Sequence, residues 1–274
     1  MPKVKTLGVD GNWVLRRAFH TQKYEARDPG AIIMRNFVSM VCKDALLFRA
    51  THILVAFDGA RIFRHKLFPL YKANRNGETD GKSPYDYLDG LKTYLAECGI
   101  YCVQHHKYEA DDVLCSLVHA TKGDVAISTK DKDAYQYVDH RVTLIDRTAK
   151  PVVSLLRHKD IEKKFGVAPE LCLDLQTLVG DSIDHIPKLL NRAPAIKGLQ
   201  KWGSLKAWLA ADLELRQQLR GQKEALKLNR LLVKLVPDIP SVEARAVEWN
   251  KSADMPNSYI ALREFANPRS KGLF

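Results

Sequence analysis

Two spacings of apolar residues alternate along the chain. Short continuous apolar runs stand at residues 4–9, 52–57, 100–103, 124–128 and 142–145. Runs of this length, bounded by polar and glycine positions, predict buried β-strands. Between them, apolar residues recur every three or four positions. Residues 29–48 place Ile32, Ile33, Phe37, Met40, Val41, Ala45 and Phe48 on one helical face. Residues 84–98 open with proline in the first turn of a helix. Residues 111–121 turn Val113, Leu114, Leu117 and Val118 inward. Strands alternating with helices predict an α/β fold with a mostly parallel sheet and helices on both faces. From about Pro151 the strand pattern stops. Residues 160–165, 170–179, 195–219 and 222–235 read as helices, with a short helix near residues 258–265. An α/β domain over residues 1–150 and a helical region over 151–274 follow from that change. No internal repeat is visible.

The strands end in acids. The first runs into Asp10-Gly11-Asn12 and the second into Asp58-Gly59. The third leads to Tyr108-Glu109-Ala110-Asp111-Asp112-Val113, and the fourth to Thr129-Lys130-Asp131-Lys132-Asp133. Open α/β sheets place ligands in the crevice beyond the carboxyl ends of their strands. A bland reading stands beside this one. Asp10 also suits a turn or a helix cap, and acids at a helix start complement its dipole. Clustered like charges nevertheless repel and push protons onto one another. Glu109 and Asp112 share one helical face at i, i+3 spacing. A divalent cation would relieve the repulsion, and hard oxygen ligands suit magnesium or manganese. A solvated cap and a metal site both remain open on this stretch alone.

Charge adds a partner. The 274 residues carry a formal net charge of +11 and are 46% hydrophobic, enough for a packed core. Such a basic balance suggests a polyanion, most often nucleic acid, although plain solubility would also account for it. Acids kept against that trend need a local reason. Residues 62–82 are rich in basic and aromatic side chains, with Arg64, His65, Lys66, Tyr71, Lys72 and Arg75 after Arg61. Basic groups neutralise phosphates while aromatics stack on bases; a solvated loop is the plainer alternative. Nothing reads as a signal peptide or membrane span. Cys42, Cys98, Cys102, Cys115 and Cys172 form an irregular set, as expected of free thiols in a reducing cytoplasm. Cys98, Cys102, His105 and His106 fit no standard zinc spacing.

Taken in order, these segments converge. Val9-Asp10-Gly11-Asn12, Phe57-Asp58-Gly59, Tyr71-Lys72-Ala73-Asn74-Arg75, Glu109-Ala110-Asp111-Asp112, Asp131-Lys132-Asp133 and Gly180-Asp181-Ser182-Ile183-Asp184-His185-Ile186-Pro187 resemble the 5′-nuclease superfamily. These are the flap endonucleases and 5′→3′ exonucleases, including the nuclease domain of bacterial DNA polymerase I and stand-alone phage enzymes. The resemblance runs from residue 4 to about 235, and the length is nearest the phage type. It implies a PIN-like α/β domain, a helical arch near residues 62–98, and a helix-three-turn-helix element for duplex DNA near 170–210. It implies two metal ions, magnesium with manganese as substitute. Asp10, Asp58, Glu109, Asp111 and Asp112 match the first acid cluster, and Asp131, Asp133, Asp181 and Asp184 the second. Lys72 and Arg75 match residues that meet the scissile phosphate, and Tyr71 one that stacks on a terminal base. His20, near Arg17 and Phe19, also fits the first motif, where its role could be structural.

The chain departs from the family after Ile186-Pro187. A Gly-x-Gly hairpin and a potassium site are usual there, whereas this chain has Lys188-Leu189-Leu190-Asn191-Arg192-Ala193-Pro194. Arg192, Lys197 and Lys201 could substitute through side-chain charge, and K⁺ binding stays open. Gln176 stands where some relatives have lysine. The resemblance implies a monomeric, metal-dependent 5′→3′ exonuclease and flap endonuclease. Its substrate would be DNA, or RNA primers in RNA–DNA hybrids, with a replication polymerase acting in trans. It would work in the cytoplasm, the host's if phage-encoded. A PIN-type ribonuclease and a non-catalytic nucleic-acid-binding subunit are the alternatives. The retained acids speak against the second, and the segment 180–187 with its basic helices against the first.

Overall fold

The computed structural model describes residues 5–21, 29–60, 62–73, 83–97, 100–147 and 153–239. Arg75, Cys98 and the expected helix near 258–265 lie outside them. The strands are β1 (Lys5–Asp10), β2 (His52–Phe57), β3 (Tyr101–Gln104), β4 (Asp124–Ser128), β5 (Val142–Asp146) and β6 (Ser154–Leu156). The described residues form a six-stranded sheet in the order β3-β2-β1-β4-β5-β6. Its pairings are parallel except the last, where β6 runs antiparallel to β5. β6 corrects the expectation that strands stop near Pro151. Three residues of mixed exposure show no period of their own, and pairing with Leu144, Ile145 and Asp146 makes them a strand.

Both faces are covered, which is why the strands read as unbroken apolar runs. The first helices are α1 (Gly11–His20), α2 (Pro29–Phe48), α3 (Phe63–Leu67), α4 (Leu88–Glu97) and α5 (Ala110–Ala120). Leu7, Val9, Ile53, Val55 and Phe57 face α1, α2 and α4. The alternate positions Leu54, Ala56, Val125 and Ile127 face α5. Gly8 lets α5 approach β1: a Cβ there would stand 2.7 Å from Ile127 Cδ1 and 2.8 Å from Leu114 Cδ2. The sequence reading missed α1, because Asp10-Gly11-Asn12 looks like a turn.

Beyond the sheet come α6 (His158–Phe165), α7 (Cys172–Val179), α8 (Arg192–Trp202), α9 (Leu205–Ala211), α10 (Leu213–Gln218) and α11 (Lys223–Val233). One apolar cluster joins them to the sheet, from Leu54 and Val113 through Phe165, Leu175 and Leu199 to Trp208 and Ile239. The single helix expected over 195–219 is therefore corrected to three pieces. Gly203 ends α8 in the left-handed region at φ 72°, where glycine carries no side-chain penalty. Ser204 caps α9 through Ala207 N–H at 3.1 Å, and Asp212 caps α10 through Leu215 N–H at 3.0 Å. No helix among the described residues is long and apolar enough to cross a membrane.

α8 and α9 pack through Gly198. A Cβ there would lie 2.0 Å from the buried Trp208 ring, which is rigid and enclosed. Two effects oppose each other in Gly198→Ala. Helix propensity favours alanine by about 1 kcal/mol, while overpacking costs about 1–3 kcal/mol. Because an indole cannot fold away, overpacking wins. Urea unfolding should show the variant less stable by about 1 kcal/mol or more, and an unchanged midpoint would contradict this packing.

Candidate active site

α5 begins where charge is densest. Glu109 is its N-cap, and Asp111 and Asp112 lie in its first turn. The dipole favours acids there, but a cation from another element decides their arrangement. Arg64 of α3 is 1% exposed. Its guanidinium donates to Asp112 Oδ1 at 2.8 Å, Asp112 Oδ2 at 2.6 Å and Glu109 Oε2 at 2.9 Å. It also donates to the carbonyls of Leu232 at 2.7 Å and Lys234 at 2.9 Å. All the N–H groups of the fork are thereby engaged. Arg64 does not belong with the phosphate-neutralising residues expected of its segment, because it is enclosed and fully bonded.

Asp112 is saturated as well. Each of its oxygens accepts from Arg64, and it accepts in addition from Glu109 N–H at 3.1 Å and Val236 N–H at 3.1 Å. A carboxylate has about four lone-pair directions, so Asp112 has none left for a metal. This corrects its expected place among the ligands. Glu109 turns toward α3 and the residues after it. It accepts from Arg64, from Tyr71 Oη at 3.1 Å and from Lys72 Nζ. Burial pushes its carboxyl up, but Lys72 and Arg64 outweigh burial and hold it below its usual range.

Tyr71 is 3% exposed and packs with Ile186, Leu232 and Val233. Its expected stacking on a base is corrected: the ring has no open face, because the hydroxyl is drawn inward to Glu109. Lys72 sits in the left-handed region at φ 54°, a conformation costing about 1–3 kcal/mol for a side-chain-bearing residue. Its N–H donates to the Asp184 carbonyl at 3.4 Å, and its ammonium lies 4.9 Å from the Tyr71 ring centroid.

The remaining acids gather at the β1/β4 boundary, where the strand order reverses and α/β sheets bind ligands. Asp10 ends β1 and also caps α1: it accepts from Trp13 N–H at 3.0 Å and from Thr129 Oγ1 at 3.2 Å. The cap reading thus holds for it, and its place at the end of β1 sets it at the sheet's carboxyl edge. Asp58, beyond β2, accepts from Ala110 N–H at 2.8 Å and ties that strand to the start of α5. Burial, followed by the charges of Asp58 and Asp131, pushes the Asp10 carboxyl up to about 7. Burial and the charges of Asp131, Asp10 and Asp133 push Asp111 well above its usual range. Asp133 rises likewise, through burial and Asp131, with Asp184 adding to it. These acids feel one another's charge. Asp181 stands apart, 2.6 Å from Lys132.

Asp111 Oδ1 is buried and has no hydrogen-bond partner. A buried, unmatched carboxylate oxygen among raised carboxyls suits a hard cation with oxygen ligands. Among the described residues, no three such side chains already stand in ligating geometry. Asp181 is drawn to Lys132 and Glu109 to Lys72, while Asp133 accepts from Gln176. On the helical side, Arg192, Lys197 and Lys201 are exposed on α8. Arg192 also donates to the Phe165 carbonyl at 2.5 Å, and Lys201 lies over the Trp202 ring. The altered hairpin turns inward: the N–H groups of Leu189 and Leu190 both donate to the Leu178 carbonyl at 2.9 Å, and both side chains are buried. His20 is exposed at the end of α1, with its ring edge-on to Phe19. The sequence reading missed Arg64 and Lys132 as partners of the acids.

Residues 5–166 match the family described as 5′-3′ exonuclease, N-terminal resolvase-like domain. DNA polymerase I of Rhizobium leguminosarum is 30% identical over 253 residues, covering 85% of this chain and 24% of that protein. DNA polymerase I of Bacillus subtilis (strain 168) is 28% identical over 253 residues, covering 86% and 28%. The chain therefore spans about a quarter of the length of these relatives. Among solved structures, the T5 D15 protein co-crystallised with metal ions has a TM-score of 0.69 at 18% identity, covering 96% of this chain and 99% of that one. The catalytic core of Rad2 in complex with DNA substrate has a TM-score of 0.57 at 16% identity, covering 96% and 92%. At these identities the structural likeness speaks for the fold.

The charges make two predictions. Removing one partner of a buried ion pair costs about 3–5 kcal/mol. Arg64→Met should lose stability of that order in urea unfolding, and a loss under 1 kcal/mol would contradict the network. The second prediction concerns pH. Asp10, Asp111 and Asp133 have folded-state pKa values above their unfolded ones, so their contribution is greatest below about pH 4 and is lost as pH rises through the raised values, about 7 for Asp10. Glu109 works in the opposite sense, losing its contribution as pH falls below its unfolded value. In chelator, the melting temperature should fall between pH 5 and pH 8. Magnesium should restore it, and more at pH 8 than at pH 5. A magnesium effect independent of pH would contradict the clustered acids.

Proposed function

The chain belongs to the 5′-3′ exonuclease family, and from that premise we propose that it is a divalent-metal-dependent 5′→3′ exonuclease and flap endonuclease of DNA. One observation carries the reading: Asp111 holds a buried, unpartnered oxygen among acids that raise one another's pKa at the carboxyl edge of the sheet. Asp10, Asp58, Asp111, Asp131, Asp133 and Asp184 would hold magnesium, or manganese in its place. Asp181 would join them on leaving Lys132. Bound divalent ions supply a water of lowered pKa and positive charge beside the phosphoryl oxygens.

The chain's own side chains do the rest. Lys72, kept at the crevice by Glu109 and by its backbone bond to Asp184, offsets charge developing on the phosphate. Arg75 would add a bidentate contact from the same segment. The exposed cations of α8 grip duplex phosphates. The N–H groups of Leu189 and Leu190 are already engaged, so contact in this region falls to side-chain charge and the potassium-type hairpin is not formed by these two residues. Similarity to DNA polymerase I suggests that the products pass to a polymerase.

Cleavage of a 5′-flap duplex labelled at either end tests the proposal. The wild type should release short 5′ products with magnesium and none with chelator. Asp111→Asn should lose about 100-fold or more. Binding without cleavage, unaffected by magnesium, manganese or the substitution, would replace the reading by a DNA-binding subunit. Preferential cutting of single-stranded RNA would replace it by a PIN-type ribonuclease.

A further inference from the structure

Asp133 accepts from one glutamine, which in turn accepts from a second. It lies in the short 3-10 turn Lys132–Tyr137 that follows β4. Gln176 of α7, 3% exposed, donates its side-chain N–H to Asp133 Oδ1. Gln136 Nε2 donates to Gln176 Oε1 at 3.0 Å and to the backbone carbonyl of Val233 at 2.9 Å. The direction of this chain of bonds is forced. A carbonyl only accepts, so Gln136 must point its nitrogen at α11. That nitrogen also meets the oxygen of Gln176, which leaves the Gln176 nitrogen for Asp133.

We propose that Gln176 and Gln136 form a positioning relay that fixes Asp133 for divalent-metal binding, with the carbonyl of Val233 setting its polarity. The proposal rests on the nuclease reading above. An amide suits the task because it orients a carboxylate without cancelling its charge. Metal ligands are commonly held by such outer partners, whose loss costs about 10–100-fold in affinity. The relay also links α11 to an acid of another element: Val233 is 97 residues from Gln136 in sequence.

A packing role for these glutamines makes a different prediction. Methionine fills a similar volume and offers no donor, so it would preserve packing and abolish the relay. Manganese binding to the metal-free full chain, titrated by electron paramagnetic resonance, reads the difference without relying on cleavage. Gln176→Met should weaken binding about 10-fold or more. Gln136→Met, which leaves the Gln176–Asp133 pair in place, should weaken it in the same direction. The double variant should bind no worse than Gln176→Met alone, because the two residues act through one path. If Gln176→Met does not fold, Gln136→Met carries the test. Unchanged manganese affinity in the folded variants, or losses that add in full, would overturn the relay. A wild type that cleaves flaps and binds manganese beside such variants leaves the nuclease reading intact. A wild type that binds no manganese overturns both.

Discussion

Two like charges 4 Å apart repel by about 4 kcal/mol at the effective dielectric near a protein surface. This chain brings several acids to one sheet edge, and much of its architecture manages that repulsion. Protonation is one relief, seen in the raised carboxyls of Asp10, Asp111 and Asp133. Pairing with a fixed cation is another, seen in Asp112 and Arg64. The two reliefs sort the acids by role. Those paired to Arg64 form the frame. Those left to repel one another form the place where an external cation is worth most.

The fold makes this sorting possible. Parallel strands end at the same edge, so acids far apart in sequence arrive together. α5 starts at that edge and brings Glu109, Asp111 and Asp112 in one turn. Successive helical residues point in different directions, which sends Asp112 to Arg64 and leaves Asp111 among the crevice acids. A single turn of helix thus serves the frame and the crevice at once. Lys72 links the two parts, through its ammonium to Glu109 and through its backbone to Asp184.

Much of this was legible in the chain. Strands buried on both faces leave continuous apolar runs, and the acids that follow them stand out against a basic background. Local caps are legible too. Gly203-Ser204 and Asp212 mark the breaks between α8, α9 and α10, but an apolar period continuing through them hides the boundaries. Long-range partnership is not legible. Arg64 meets Glu109 across 45 positions and Leu232 across 168, and looks in sequence like any other cation of its segment. Tyr71 is similar: its motif suggests an exposed ring, while burial beside Glu109 depends on residues beyond position 185. β6 is a strand only because an edge was waiting for it.

Arg64 also sets a timetable. Its fork closes on the carbonyls of Leu232 and Lys234, and Asp112 closes on the N–H of Val236. A ribosome makes the strands and their acids well before it makes those residues. Contacts so distant in sequence form late, after long loops have closed. A growing chain therefore carries Arg64, Glu109 and Asp112 before it carries the backbone groups that complete their bonding, and the start of α5 gains those last bonds only when the end of α11 and the residues after it have been translated and docked. The first turn of α5 is thus completed by a backbone group that follows it by 124 positions.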